Sequence, residues 1–414
     1  MKRHFLHLIY IYVLTGVAFA TLVGCCKDEE ETWDKPKKTL DRTLIFYMAG
    51  ENSLSRFIAE DSAEIANGIA SLPENCRAVM YIDDLKSSRL CVGIHGHDVE
   101  TVKTYDRNVC STDSADMEEV LNDIFNLYPA KSYGLVLWSH ASGWVFDKDQ
   151  QSAQSKPRNV RRRTFGIDNG NRTSSNTGRE MELHTLTNIL AHHPHLEFIF
   201  CDACFMQCIE VAYELRNVTD WILGSPAEIP GNGAPYTQLM IAMGEPEFQP
   251  LRLLEEYYDY YVNGAGAQQF KGAILSAIKT SELPQLAAAT RPLVQRLFAN
   301  RNVLDCSGVQ RYYPLVNSEE FTEFYDMAGI FGKHLPVDEY ELWWEVLSEA
   351  VQYRLISDLW TSSYSSLPLR VYDPENCAAV SMFVPTAFYD ALGLVERYHS
   401  LEWYKAVGMN ETGW

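Results

Sequence analysis

Basic residues are scarce in this sequence. It carries 35 Lys and Arg against 55 Asp and Glu over 414 residues, a formal net charge of −20. Phosphate backbones are held by basic footprints, so nucleic acid is excluded as a partner. Neither G-x-G-x-x-G nor G-x-x-x-x-G-K-[ST] occurs, so no loop is built to cradle a nucleotide. No acidic loop has EF-hand spacing, and no cofactor is expected. The ten Cys are too sparse and too irregularly spaced for a disulfide framework. Core material, by contrast, is plentiful. Hydrophobic residues at 46% and aromatics at 12% rule out a disordered chain. The length suits one large domain or two to three modest ones.

One apolar stretch, residues 5–23 behind Lys2, Arg3 and His4, is nearly long enough to span a bilayer and has a transmembrane anchor as its alternative reading; no second stretch is long enough. Basic, then apolar, then small residues is the order of a signal peptide. Leu22-Val23-Gly24-Cys25 fits a bacterial lipobox, in which the Cys25 thiol is acylated and becomes the mature N-terminus. Lys27 and the acids that follow resemble a surface-export signal of Gram-negative lipoproteins. The expectation is a signal peptide over 1–24 and a polar tether over 25–40. Attachment would then be to the outer membrane or cell surface, through lipid.

Beyond the tether, short apolar runs alternate with amphipathic segments. RTLIFYM (42–48), AVMYI (78–82), YGLVLWS (133–139), LEFIFC (196–201) and WILG (221–224) read as strands buried on both faces. Helical patterns fall at about 55–70, 115–128, 181–193 and 206–217. Strand, helix, strand in alternation predicts an α/β fold with a mainly parallel central sheet flanked by helices. That domain is expected over 41–250. The pattern over 251–414 is more helical, with an apolar run returning at 378–384, and reads as a helical C-terminal lobe or an extension of the sheet. Residues 147–180 are polar and nearly free of aliphatics, a loop too long to be idle in most compact domains.

In open α/β sheets, ligands sit at the carboxyl ends of the strands. His140 ends one strand and Cys204 the next in sequence. Cys204 also precedes the expected helix start near Met206, whose N-terminus would lower the thiol pKa. A thiol beside an imidazole is the minimum equipment for acyl transfer through a thioester. The bland alternative, a Cys serving as a small buried hydrophobe, stays open on these residues alone. Cys201 and Cys208 flank Cys204, but CDACFMQC lacks the second Cys/His pair of a metal site. Cys201 is expected to point into the core, and Cys208 to lie one turn into the helix. His95 and His97 leave a weak metal alternative.

Three segments together resemble the clostripain family of cysteine peptidases, in the clan of caspase-like folds. LVLWSHASGW (135–144) is similar to the family's histidine motif. FIFCDACFM (198–206) is similar to its cysteine motif, and RTLIFYMAGEN (42–52) to its opening strand and turn. The resemblance implies a caspase-like fold, Cys204 as nucleophile and His140 as general acid/base. It implies an oxyanion hole from the backbone N–H groups of Ala141 and Cys204. The family usually has Gly where Ala141 stands, so a strained φ is a concern there. Acidic groups in the S1 pocket give the family its preference for Arg or Lys at P1. Asp202 matches one of them; Asn232 stands where the other acid is expected, and Ser225 is a third candidate substrate contact. Family members are often matured by cleavage between the two motifs, where Arg161, Arg162 and Arg163 stand. The combined reading is a lipid-anchored cysteine endopeptidase acting on peptides or proteins. A catalytically idle binding protein, or an amidase or acyl transferase using the same Cys, are the alternatives.

Overall fold

A computed structural model describes residues 37–105, 109–144, 165–168, 170–176, 178–312, 324–362 and 367–414. The apolar runs do become strands. They are β1 (Leu40–Ala49), β2 (Cys76–Asp83), β3 (Ser88–Ile94), β4 (Glu100–Thr104) and β5 (Ala130–Trp138). After the short pair β6 (Phe165–Asp168) and β7 (Arg179–Met181) come β8 (Leu196–Asp202), β9 (Thr219–Gly224) and β10 (Ile274–Lys279). Two more follow, β11 (Tyr325–Asp326) and β12 (Val351–Ile356). Nine of these strands form one sheet, in the order β12-β10-β9-β8-β5-β1-β2-β3-β4. The five central strands are parallel, and β3, β4, β10 and β12 extend the sheet antiparallel at its two sides.

Side chains alternate between the faces with period two. Phe46, Met48, Trp138, Phe198 and Phe200 face one layer. That layer is α1 (Ile58–Gly68), with helices α5 (Tyr236–Gly244) and α6 (Pro250–Val262) from later in the chain. Ile45, Tyr47, Leu135, Leu137, Ile199 and Cys201 face the other. There lie α2 (Ser114–Leu127), α3 (Leu183–Ala191), α4 (Ile209–Leu215), α7 (Leu283–Leu297), α8 (Met327–His334) and α9 (Val337–Ala350). Gly134 marks a close approach within the parallel core. A Cβ there would stand 2.2 Å from the ring of Phe198, its register partner on β8.

Two expectations need correction. The sheet does not stop at residue 250, because β10 and β12 extend its edge beside β9. The helices after residue 250 share cores with the earlier ones, and Lys37–Trp414 makes one unit. Sequence distance hid this, since β10 and β12 pair antiparallel and are separated by three helices. The returning run pairs Ser381–Met382 with β11, outside the main sheet. Nor is 147–180 all loop, because β6 and β7 pair within it. Cys25 and Arg161–Arg163 lie outside the described residues. Among the described residues, no helix is long and apolar enough to cross a membrane.

The segment between β6 and β7 is fastened by a buried arginine. Arg172 Nη1 lies 2.5 Å from Asp83 Oδ1 and 3.2 Å from Glu51 Oε2, and donates to the Asp84 carbonyl at 2.9 Å. Its Nη2 donates to Ser88 Oγ at 2.6 Å. The N–H groups of Asn171 and Arg172 donate to Glu51 Oε1 at 2.7 and 2.6 Å. Burial raises the Glu51 carboxyl, and burial followed by the neighbouring Asp168 pushes Asp83 up to about 8. Arg172 is the charge that makes these buried acids tolerable. Arg172→Ala is therefore expected to lower the unfolding free energy by about 3–5 kcal/mol, measured by urea denaturation. The deficit should be larger at pH 8 than at pH 5.5. Without the guanidinium, Glu51 and Asp83 must stay protonated to remain buried, which costs more as pH rises above their unfolded pKa of about 4. A loss under about 1 kcal/mol would show that these acids do not depend on Arg172.

Candidate active site

The parallel strands all end on the same side of the sheet, and the candidate residues follow from those ends. In the β5–β8 register, Trp138 stands opposite Asp202. His140 lies two residues beyond Trp138, and Cys204 two beyond Asp202. Neighbouring strands run about 4.8 Å apart, so the two chain exits leave the sheet side by side. Both residues line a cavity of about 690 Å³, together with Ser53, Asp202, Glu228 and Asn232.

The end of β1 supports the histidine. Asn52 is buried and donates to the carbonyls of Ala49 and Ile167 at 2.9 and 3.0 Å, tying β1 to β6. The next residue, Ser53, has its Oγ 2.8 Å from His140 Nε2. Asn176 grips Ser53 twice: its Nδ2 donates to Ser53 Oγ, and its Oδ1 accepts from Ser53 N–H, both at 3.0 Å. The segment fastened by Arg172 thus ends on the residue that touches His140. Ser53 and Asn176 were not singled out from the sequence. A serine after Gly-Glu-Asn carries no pattern of its own, and Asn176 meets it only through the fold.

Cys204 departs from expectation in one respect. Helix α4 starts at Ile209, with Cys208 as its N-cap. A helix dipole fades within a turn, so its N-terminus cannot lower the Cys204 thiol pKa from five residues away. Burial pushes that thiol up to about 12, with the charge of Glu228 adding to it; the Ile229 N–H, 3.5 Å from Sγ, acts the other way. The thiol at rest is therefore protonated. Residues 203–208 form a turn in which Phe205 takes a positive φ of 62°. Such a conformation costs a bulky residue of order 1–3 kcal/mol. Its ring, stacked on Phe324 at 5.1 Å, and its N–H bond to the Ala227 carbonyl hold it there. Cys201 is buried in β8, facing the α4 layer as expected. Cys208 is equally buried, at the helix start rather than one turn in.

Ala141 forms an isolated bridge with Phe165. The positive φ of its turn, 65°, falls at Gly143, so a methyl at position 141 costs nothing in backbone strain. Asp202 also lines the cavity. Its Oδ2 accepts from Ala234 N–H at 2.9 Å and from the Tyr236 hydroxyl at 2.5 Å. Burial pushes its carboxyl up to about 6. Asn232 lines the cavity. Ser225 does not: it is buried, and its Oγ accepts from the Ala227 N–H at 3.1 Å.

A second acid was missed. Asp61 sits on the buried face of α1 between Ile58 and Ile65, fully enclosed. Its Oδ2 accepts from Trp138 Nε1 at 2.7 Å. Burial, then the charge of Asp202, pushes it up to about 9. Its signal was in the sequence: an Asp on the apolar stripe of an amphipathic helix, where a solvated residue is not expected. Among the described residues, one acid cluster has metal-like spacing, Glu51, Asp83 and Asp168. The Arg172 guanidinium already stands against two of the three. His95 and His97 join no such group.

A sequence model of the clostripain family matches residues 46–336. No curated protein matches the chain. Among solved structures, the chain is similar to a secreted C11 cysteine protease from Bacteroides thetaiotaomicron crystallised with an irreversible peptide inhibitor. Identity there is 30%, TM-score 0.75, with 90% of this chain and 99% of that one covered. It is similar at 28% identity and TM-score 0.72, over 90% and 99%, to an inactive zymogen of a C11 protease from Parabacteroides distasonis. A third, named iotapain, also from B. thetaiotaomicron, shares the fold at 17% identity, TM-score 0.73, over 90% and 100%. A family match over most of the length, on a caspase-like sheet with a cysteine and a histidine at neighbouring strand ends, places the chain in the clostripain family of cysteine endopeptidases.

Proposed function

We propose that Cys204 is the nucleophile and His140 the general acid/base of this endopeptidase, and that it cuts after Arg or Lys. One observation carries the reading: two chain exits at matched register, one bearing a thiol and one an imidazole, line one cavity. Because the resting thiol is protonated, its proton passes to His140 as Sγ attacks the scissile carbonyl. The N–H groups of Cys204 and Ala141 receive the oxyanion. The imidazolium then gives the proton to the leaving amine, and water resolves the thioester by the reverse path. Ser53 keeps the imidazole oriented and Asn176 keeps Ser53 oriented. Asp202 supports basic P1 specificity, since burial among apolar groups leaves its carboxylate in need of a cation.

The chain is further proposed to be exported and anchored by lipid on Cys25, after removal of residues 1–24. Support comes from the Leu22–Cys25 motif and from the relative in Bacteroides, which is secreted. Maturation is proposed to occur by a cut at Arg161–Arg163. The P. distasonis relative, solved as an inactive zymogen, supports a maturation step. The acid-bound Arg172 would keep the downstream strand pair docked after such a cut.

Cys204→Ala is expected to abolish peptide turnover and selective labelling by iodoacetamide while leaving thermal stability near wild type. His140→Ala should lower kcat by about 10²–10⁴-fold and erase the acid limb of the pH–rate profile. Labelling or activity that depends on Cys201 or Cys208 instead would overturn the assignment. A folded protein without any turnover would point to an idle binding protein. On incubation, wild type should yield two fragments with a new N-terminus between Lys148 and Arg179, and Cys204→Ala should stay whole. An uncut wild type that turns over peptides would remove the maturation step. In a Gram-negative host, Cys25→Ala should move the protein from the membrane fraction to the soluble one; unchanged fractionation would refute the anchor.

A further inference from the structure

We infer that Asp61 supplies the second carboxylate of the P1 pocket, in place of the one that Asn232 lacks, and so determines the preference for a cationic side chain. This rests on the reading of the cavity as the substrate site served by Cys204. Asp61 is a specificity-determining residue and touches no reacting atom.

The geometry is that of two acids behind one glycine. Gly233 lines the cavity with a φ of 68°. A Cβ at that position would stand 2.8 Å from Asp61 Oδ2 and 3.0 Å from Asp202 Oδ2. The absence of a side chain there is what lets both carboxyls crowd the cavity wall. Asp61 is wholly buried and Asp202 is 4% exposed. Each has one oxygen, Oδ1, without a hydrogen-bond partner. Among the described residues, the groups around them bring no cation: Trp138, Tyr236, Tyr257, Tyr261 and the Cys201 and Cys204 thiols are neutral, while Glu60 and Glu64 on α1 are acidic. The guanidinium in the cavity lining, that of Arg56, stacks on the Phe57 ring at 4.7 Å, and the residue is exposed.

The same protein shows what such a pair requires. Glu51 and Asp83, equally buried at neighbouring strand ends, have the Arg172 guanidinium between them. Around Asp61 and Asp202 no described residue holds the counterpart position, and Gly233, which lines the cavity, stands against the Oδ2 of both. A P1 arginine reaching Asp202 fills that position from outside. Two buried carboxylates cannot both ionise without a cation, and Asp61 carries the higher pKa of the pair, about 9. In the empty pocket Asp61 holds a proton and Asp202 carries the charge. An entering cation favours the ionised form, so Asp61 releases its proton to solvent. Arginine binding then strengthens as pH rises toward 9, whereas binding of an uncharged side chain does not.

The test compares matched peptides with Arg or Gln at P1, across pH 6 to 9, on wild type, Asp61→Asn and Asp61→Asn with Asn232→Asp. In wild type the Arg/Gln ratio of kcat/KM should climb with pH; common effects of Cys204 and His140 cancel in the ratio. Asp61→Asn should lower that ratio about tenfold or more, chiefly through KM, and flatten its pH dependence. Asn232→Asp should restore it. An unchanged ratio and slope in Asp61→Asn would overturn the inference. Should that variant fail to fold, calorimetry on wild type with arginine amide in buffers of different ionisation enthalpy gives the answer. About one proton released per site supports Asp61 near pH 7.5, with citrulline amide as the silent control; no release refutes it. Iodoacetamide labelling separates the two readings. A Cys204 that is labelled in an enzyme preferring Gln refutes the acidic pocket alone. A Cys204→Ala variant that still cleaves refutes the catalytic reading.

Discussion

The pairing of β5 with β8 is the constraint on which the rest depends. Trp138 opposite Asp202 sets one register, and everything after it is counted from there. A slip of one residue would turn Phe198 and Phe200 from one core to the other, since strand side chains alternate. Two separate cores, each closed by its own helices, forbid that slip. Gly134 adds a steric lock, because only a glycine leaves room for the Phe198 ring across the pair. The precision of the thiol–imidazole arrangement is thus borrowed from apolar packing well below the site.

The second theme is acid at the strand ends. Glu51, Asp61, Asp83 and Asp202 are all buried near the carboxyl edge of the sheet. Burial of four carboxyls is costly unless protons or cations meet them. The protein uses both. Arg172 serves Glu51 and Asp83, and in doing so pins the segment that reaches Ser53 and His140. The other two lie behind Gly233, each with a buried oxygen unmet. In the proposed reading, specificity rests on the same kind of interaction as stability, with the cation supplied by a substrate rather than from within.

Much of this was legible beforehand for a simple reason. Strands buried on both faces are continuous apolar runs, and the five central strands appeared at their places because each is such a run of strand length. The positions of His140 and Cys204 at strand ends followed directly. Less regular elements were missed. Exposed residues interrupt β3 and β4, so neither shows a clean apolar run, and β12 is only partly buried. The start of α4 was misjudged because Phe205 and Met206 look helical by composition, while their backbone turns first.

What the sequence by itself determined is the layered α/β frame, the family, and which thiol and imidazole end neighbouring strands, because all three depend on local runs and motifs. What only the tertiary structure decided is who stands behind them. Asp61 comes from a helix 141 positions before Asp202, Arg172 from an insertion, and Ser53 from the turn after β1. None has a sequence neighbour that names its partner. Electrostatic need inside a low-dielectric core is a property of three-dimensional proximity, so a buried acid and the charge that answers it can be matched only after the chain has folded.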